Sequence, residues 1–336
     1  MTKAPSRRGL VLAAAMIAMF MSAIESSIIS TAMPTIVAQL GGFQLFSWAF
    51  SAYLLTQTVT IPIYGRLADL YGRKIVFYVG TGIFLVGSLL CGLAGDMMTL
   101  IAFRAIQGFG AGAILPVATT IVGDIYTGEE RAKIQGYLSS IWGISAIVGP
   151  TLGAFLIDQG HWALIFWINL PIGVIAIAMI AAFLKEQPTA REHDVDYFGA
   201  ALMMFGVGLL MYVMTEAEDV PALWVVVLTV VALASIVLLI AREKRAKEPM
   251  LPISLWRHRV MIVCNLSGVI TGALMMAGTA FLPAYVQGVM GLSPAMAGLI
   301  LTVMSLSWSG GSTVSGQVMV RSSFWTTCCI GGVSLA

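Results

Sequence analysis

Two opposite charges, Glu25 and Arg104, interrupt long apolar stretches of this sequence. A charge within a membrane-spanning segment is costly unless it has a partner or faces a water-filled cavity. At about 1.5 Å per residue, both charges fall in the same half of a hydrocarbon layer about 30 Å thick. We therefore expect Glu25 to be the carboxyl group that exchanges protons and meets a cationic substrate, with Arg104 modulating it. A static structural ion pair is the alternative.

The composition indicates a helical bundle in lipid. Of the 336 residues, 59% are hydrophobic and only 10% are charged, and the mean hydropathy is +0.93. Soluble domains carry roughly 25% charged residues. The charges here are too few to cover a surface that faces water.

Ten apolar runs are long enough to cross a bilayer, for which about 20 residues are needed. An eleventh run starts at Phe324, and the sequence contains only 13 residues of it. The ten runs lie near residues 9–32, 46–64, 75–95, 98–123, 135–157, 163–184, 198–215, 222–241, 259–281 and 294–315.

The positive charges lie on one side of this arrangement. Every Lys and Arg except Arg104 falls before the first run, in the gaps after even-numbered runs or, for Arg259, at the first residue of the ninth run. Because cytoplasmic loops are enriched in Lys and Arg, this pattern predicts a multi-pass protein of the cell membrane with a cytoplasmic N-terminus.

The gap between the second and third runs reads GRLADLYGRK, residues 65–74. This decapeptide resembles the signature loop of the major facilitator superfamily, a family of secondary transporters. We expect its two glycines to allow a tight turn and a close approach of helices, and Asp69 to cap a helix start among cations. An ordinary basic loop is the alternative. The residues of this predicted gating loop are Gly65, Arg66, Asp69, Gly72, Arg73 and Lys74.

Polar residues in the second run recur at helical spacing, which predicts a stripe facing a cavity or, alternatively, hydrogen bonds between helices. This run, and residues 162–173, resemble the drug–proton antiporter branch of the family, which has 14 helices. The stripe comprises Tyr53, Thr56, Gln57 and Thr60. The predicted substrate cavity comprises Tyr53, Gln57, Gln107 and Asn169.

The fifth run carries Gly149, Pro150 and Gly153 in a segment that resembles the motif of exporters. A Gly-Pro pair can bend a helix, and glycine allows close packing against a neighbour. A kink without any meaning for export is the alternative.

The resemblance implies an all-α membrane protein with the major facilitator fold. We expect a complete six-helix N-terminal bundle, two extra linker helices and an incomplete C-terminal bundle. The corresponding segments are a cytoplasmic N-terminus 1–8, the bundle 9–184, the linker region 185–241, a basic cytoplasmic loop 242–258 and the incomplete bundle 259–336.

The implied function is proton-coupled export of lipophilic, cationic compounds by alternating access, rather than an enzymatic reaction. The alternative is a truncated, non-transporting membrane protein or a fragment of such an exporter. The expected partners are small lipophilic molecules, protons and the bilayer, without nucleic acid. We expect no cofactor and no metal, because the histidines are scattered and no phosphate-binding loop is present.

Overall fold

The computed structural model describes residues 5–186, 196–217, 220–245, 258–321, 326 and 330–331. Within these ranges every regular element is a helix, so the predicted all-α class is confirmed. A short 3-10 helix, Phe43–Leu45, precedes α2. The α-helices are α1 (Pro5–Leu40), α2 (Phe46–Tyr71), α3 (Arg73–Cys91), α4 (Met97–Ile125), α5 (Gly128–Asp158), α6 (Leu164–Trp167), α7 (Asn169–Phe183), α8 (Tyr197–Glu216), α9 (Ala222–Glu243), α10 (Arg259–Gly288) and α11 (Pro294–Arg321).

The predicted spans coincide with these helices, the sixth being divided between α6 and α7. Among the described residues, eight helices are both long and apolar enough to cross a membrane. The other two predicted spans fall in α2, which carries the polar stripe, and in α11, where the apolar stretch found among the described residues is Pro294–Trp308. Most of the predicted eleventh run, and most of the basic loop 242–258, lies outside the described residues.

The first seven helices form a bundle around α1, which packs against α4, α5 and α7. Helix α4 also packs closely on α2 and α3. Glycine makes this approach possible, because a Cβ atom at Gly108 would collide with the carbonyl oxygen of Tyr53 on α2. A Cβ atom at Gly87 on α3 would lie 2.5 Å from the backbone of Gln107.

Helices α8 and α9 form an antiparallel hairpin that lies against α2 through α8. Trp48 Nε1 donates a hydrogen bond of 2.7 Å to Glu216 Oε1, and the Trp48 and Tyr212 rings are 6.2 Å apart. These contacts join the beginning of α2 to the end of α8, so the two helices are antiparallel.

Helices α10 and α11 pack against α1 and α5 respectively. Gln287 Nε2 donates to the carbonyl oxygen of Thr31 at 3.2 Å. A Cβ atom at Gly298 would lie 2.9 Å from the carbonyl oxygen of Pro150. Much of α10 presents large apolar side chains at the protein surface, which suits a helix bordered by lipid.

One end of the helix bundle collects most of the charged contacts, and we name it the basic end. It is marked by Arg8 at the start of α1, Arg73 at the start of α3 and Arg242 at the end of α9. Arg8 and Arg73 pair with carboxylates on or beside α5 and α4, so these helix ends lie together.

Candidate functional site

The central ion pair joins α1 to α4. Arg104 Nη1 donates to Glu25 Oε1 at 2.5 Å. The Glu25 side chain is 0% exposed and that of Arg104 2%. The expected contact between the two charges is therefore present, and it is closed off from water in this conformation.

The second oxygen of Glu25 is held from the other side of the bundle. Asn169 Nδ2 donates to Glu25 Oε2 at 2.5 Å and lies 3.4 Å from Ser88 Oγ. Gln107 Nε2 donates to the same Ser88 Oγ at 2.7 Å. These five residues, from α1, α3, α4 and α7, are named the central site: Glu25, Ser88, Arg104, Gln107 and Asn169.

Arg104 also has neutral partners. Its Nη1 donates to Gln107 Oε1 at 2.6 Å, and its Nε donates to the carbonyl oxygen of Ala49 at 3.2 Å. The guanidinium carbon lies 4.1 Å from the ring centroid of Tyr53, a cation–π contact. The positive charge therefore keeps several contacts that do not depend on the charge of Glu25.

The polar stripe of α2 fits the alternative of contacts between helices. Thr56 and Thr60 donate to carbonyl oxygens of their own helix, and Thr60 Oγ1 also lies 3.3 Å from the carbonyl oxygen of Phe109 on α4. A Cβ atom at Gly112 on α4 would collide with Thr60 Oγ1. The expectation that the whole stripe lines a cavity is wrong for Thr60, because α4 packs directly on it.

The structure brings three of the four predicted cavity residues together at the central site and places Gln57 apart from them. Gln107 and Asn169 are 0% exposed and belong to the central site. Tyr53 is buried beside Arg104, whereas Gln57 is partly exposed one turn further along α2. Ser88 is not predicted from the sequence, since a single serine in an apolar helix gives no distinctive signal.

The exporter-like segment of α5 forms the contact with α1. A Cβ atom at Gly149 would collide with Ser27 Oγ, and one at Gly153 with Thr31 Oγ1. Ser27 Oγ donates to the carbonyl oxygen of Ser145 at 3.1 Å. Helix α5 continues through Pro150 to Asp158, so the glycines provide packing within a continuous helix.

The loop motif lies at the basic end, where Gly72 joins α2 to α3 with φ = 92°. This left-handed backbone suits glycine, as expected for a tight turn. The expectation of close packing is wrong for Gly65, which lies inside α2, where no neighbouring group lies within 4 Å of the position that a Cβ atom would take. Arg66 also lies inside α2, before the turn.

The carboxylate that caps α3 belongs to Glu186, which follows α7 in the chain and lies at the basic end. Glu186 accepts hydrogen bonds from the backbone N–H groups of Arg73, at 2.6 Å, and Lys74, at 2.9 Å. The expectation that Asp69 caps a helix start is wrong, because Asp69 lies on the last turn of α2, before Gly72. Its carboxylate instead pairs with Arg73 at 3.2 Å.

Two further contacts tie this loop to neighbouring helices. Arg73 Nε lies 3.2 Å from Asp124 Oδ2 at the end of α4. Lys74 Nζ donates to the carbonyl oxygens of Ala181, at 2.9 Å, and Leu184, at 3.0 Å, at the end of α7. The loop thus connects α2, α3, α4 and α7. Across the described part of the chain, no group of three or more His, Cys, Asp or Glu side chains is placed to hold a metal ion.

Ionisable side chains buried within a bundle of membrane-spanning helices are typical of the pathways of membrane transport proteins. Residues 15–336 match the family Major Facilitator Superfamily, and the chain belongs to this family. It is therefore a transporter-family protein rather than an enzyme.

The chain is similar to multidrug transporters of bacteria. It is 39% identical over 319 residues to the multidrug transporter protein MdtP of Bacillus subtilis (strain 168), covering 94% of this chain and 59% of the relative. It is 35% identical over 312 residues to multidrug resistance protein 3 of the same strain, covering 92% of this chain and 61% of that protein. The chain thus spans about three fifths of the length of these relatives.

Solved structures support the fold alone, because their sequence identities are low. A bacterial homologue of the human lysosomal transporter Spinster, inward-facing and unoccupied, has a TM-score of 0.62 and 15% identity, covering 95% of this chain and 64% of that one. A D-xylose–proton symporter has a TM-score of 0.58 and 11% identity, covering 93% of this chain and 69% of that one.

Proposed function

We propose that this chain takes part in proton-coupled export of lipophilic cations by alternating access. The names of its bacterial relatives support multidrug efflux and favour it over a non-transporting membrane protein. The one-sided distribution of Lys and Arg supports a cytoplasmic N-terminus and hence a cytoplasmic basic end. Protons, lipophilic molecules and the bilayer are the proposed partners, and the proton gradient replaces any cofactor.

We assign the chain to the 14-helix branch on the position of two helices. The hairpin α8–α9 lies between the first bundle and α10 in the chain, and among the described residues its main contact with the first bundle is along the side of α2. Such an addition leaves the central site unchanged, because none of the five residues of that site comes from α8 or α9. In this proposal α10 and α11 belong to the second bundle.

The observation that carries the proposal is the complete burial of the Glu25 carboxylate against Arg104 and Asn169. Arg104 offsets part of the cost of an ionised carboxylate at this buried position. When Glu25 takes up a proton, Arg104 retains Gln107, the Ala49 carbonyl oxygen and the Tyr53 ring. Both protonation states of Glu25 are therefore compatible with a buried arginine.

Competition for this carboxylate couples the two fluxes. A lipophilic cation that reaches Glu25 from the cytoplasm takes the place of the proton, which leaves to the cytoplasmic side. After the site opens outward, a proton from outside binds the carboxylate and the cation departs. Asn169 acts in this scheme by holding Oε2 of Glu25 in place as its charge changes.

The basic end is the proposed gate on the cytoplasmic side. The contacts of Arg73 with Asp69 and Asp124 are partly exposed, so they can break and re-form at modest cost. In the same proposal, α5 and α1 slide along each other during the conformational change, because Gly149 and Gly153, beside Pro150, carry no side chains where the two helices meet.

The test is the efflux of a fluorescent lipophilic cation, such as ethidium, from cells or vesicles containing this chain, with and without an imposed pH gradient. We expect Glu25→Gln to abolish the response of efflux to the imposed pH gradient. Asp158→Asn is the matched control, since it removes an exposed carboxylate at the end of α5. Gradient-driven efflux by Glu25→Gln at the wild-type rate would contradict the proposal.

A second measurement separates proton coupling from general loss of function. Addition of the cation to purified wild-type protein in weak buffer should release protons, detected with a pH-sensitive dye. The Glu25→Gln variant should release none even when it still binds the cation. Proton release from Glu25→Gln equal to that of the wild type would place the exchanging group elsewhere.

A further inference from the structure

A cavity of about 350 Å³ lies between α8 and α9 at the basic end, away from the central site. Leu238, Ala241, Arg242 and Arg245 line it from α9 and the turn that follows, and Phe198 lines it from α8. Leu238, Ala241 and Arg242 follow the spacing i, i+3 and i+4 and share one face of α9, and Arg245 follows three residues later in the turn. The volume falls in the lower part of the usual range for ligand pockets, about 300–1,000 Å³.

The residues that line this cavity change along α9 from apolar to charged, so the cavity has an apolar part and a charged part. Helix α9 has 22 residues, a length of about 33 Å that matches one crossing of the hydrocarbon layer. Arg242 and Arg245 thus lie at the depth of lipid headgroups. Leu238 lies one turn closer to the membrane centre and lines the same cavity as the exposed ring of Phe198.

The guanidinium group of Arg242 is held in place but remains open to the outside. Its Nε donates to Asp196 Oδ1 and Oδ2, at 2.9 and 2.8 Å, and its Cζ lies 4.9 Å from the centre of the Phe198 ring. The Asp196 side chain is 9% exposed, whereas that of Arg242 is 45% exposed. Asp196 is fixed in turn by the backbone N–H of Gly199 at 2.8 Å.

Among the described residues, the two arginines that line the cavity differ in their surroundings. Asp196 offsets Arg242, and the buried Glu243 lies close to Gly199 of α8. Arg245 and its neighbour Lys244 are exposed at the end of the hairpin. Arginine is well suited to phosphate, because its planar group presents several N–H donors at once.

We propose that this cavity binds an anionic phospholipid. The phosphate contacts Arg242 and Arg245, and the first part of an acyl chain lies against Phe198 and Leu238. A cavity with apolar walls inside the hydrocarbon depth and arginines at headgroup depth matches the two parts of such a lipid. This site is independent of Glu25 and of the transported substrate.

The experiment measures phosphatidylglycerol bound to the purified full chain by native mass spectrometry, with phosphatidylcholine as the neutral comparison. We expect selective retention of phosphatidylglycerol, weakened about fivefold by Arg245→Gln. Lys244→Gln is the matched control, because it removes an adjacent exposed cation that does not line the cavity. Equal weakening by Lys244→Gln would overturn the site.

A second variant tests the apolar part without changing any charge. Leu238→Trp fills the cavity and should reduce phosphatidylglycerol binding while the protein remains monodisperse in detergent. Binding unchanged by Leu238→Trp would contradict the proposal. Inorganic phosphate at millimolar concentration should displace the lipid only weakly; displacement as effective as that by phosphatidylglycerol itself would indicate a phosphate site and overturn the lipid assignment.

Discussion

The ion pairs of the central site and of the basic end differ in how far water reaches them. Glu25 and Arg104 are 0% and 2% exposed, whereas Arg73, Asp69 and Asp124 are 22%, 44% and 56% exposed. Removal of one partner from a buried pair leaves an unpaired charge in a medium of low dielectric constant, while an exposed pair is compensated by water. This difference supports the proposed roles, in which the central pair couples the two fluxes and the outer pairs form the gate.

The largest effect should come from removing Arg104 alone. We expect Arg104→Met to destabilise the protein by about 3–5 kcal/mol, because the Glu25 carboxylate then stays buried without its positive partner. The double variant with Glu25→Gln should recover much of this loss. The measurement is chemical unfolding in a fixed detergent, followed by tryptophan fluorescence.

The difference in unfolding free energy between Arg104→Met and the double variant separates the effect of charge from the effect of packing. If the single and the double variant are equally unstable, the lost stability comes from the packing of the Arg104 side chain rather than from its charge. That result would also weaken the difference drawn between the central site and the basic end.

A smaller effect is expected where α4 packs on α2 next to the central site. Gly108→Ala should cost about 1–3 kcal/mol, since its Cβ atom collides with backbone of α2. Gly82→Ala on α3 is the control, because no neighbouring group lies within 4 Å of its Cβ position. The control should be neutral or stabilise the helix by up to about 1 kcal/mol. Equal unfolding midpoints for the two variants would mean that α2 and α4 separate without cost.

At the basic end we expect Glu186→Gln to cost about 1 kcal/mol, the usual effect of losing a helix cap. Asp124→Asn, which removes a half-exposed partner of Arg73, should cost less than about 1 kcal/mol. If the loop is a gate, both variants should clearly slow the efflux of the fluorescent cation while they change the free energy of unfolding only by these small amounts. A loss of stability for Asp124→Asn larger than that for Glu186→Gln would show that the side-chain pair, not the cap, holds α3.

The central pair could be predicted from the sequence, and its surroundings could not. Because a charge inside an apolar run has few possible partners, an ion pair between Glu25 and Arg104 is the expected arrangement. The cap of α3 by Glu186 depends on how α7 ends beside α3, over more than 100 residues of chain. Helical periodicity placed Thr56 and Thr60 on one face of α2, but it does not distinguish a cavity from a helix neighbour, and threonine can also bond to its own backbone.

The smallest effect concerns pH and lies with Asp196. Hydrogen bonds from Arg242, and more weakly from the backbone of Gly199, lower the pKa of this carboxyl group against the opposing effect of partial burial. A lowered pKa in the folded protein means that Asp196 stabilises the fold above the unfolded value of about 3.9. This contribution is lost as the pH falls through the folded value.

The difference in unfolding free energy between wild type and Asp196→Asn should therefore be constant from pH 7 to about pH 5 and shrink below about pH 4. In an Arg242→Gln background the same substitution should show a smaller pH dependence, because the main cause of the lowered pKa is gone. Unfolding is measured in neutral detergent on protein from which bound lipid has been removed, as checked by native mass spectrometry, so that anionic lipid does not contribute. A pH dependence unaltered by Arg242→Gln would mean that the backbone cap of α8, rather than the exposed ion pair, sets the ionisation of Asp196.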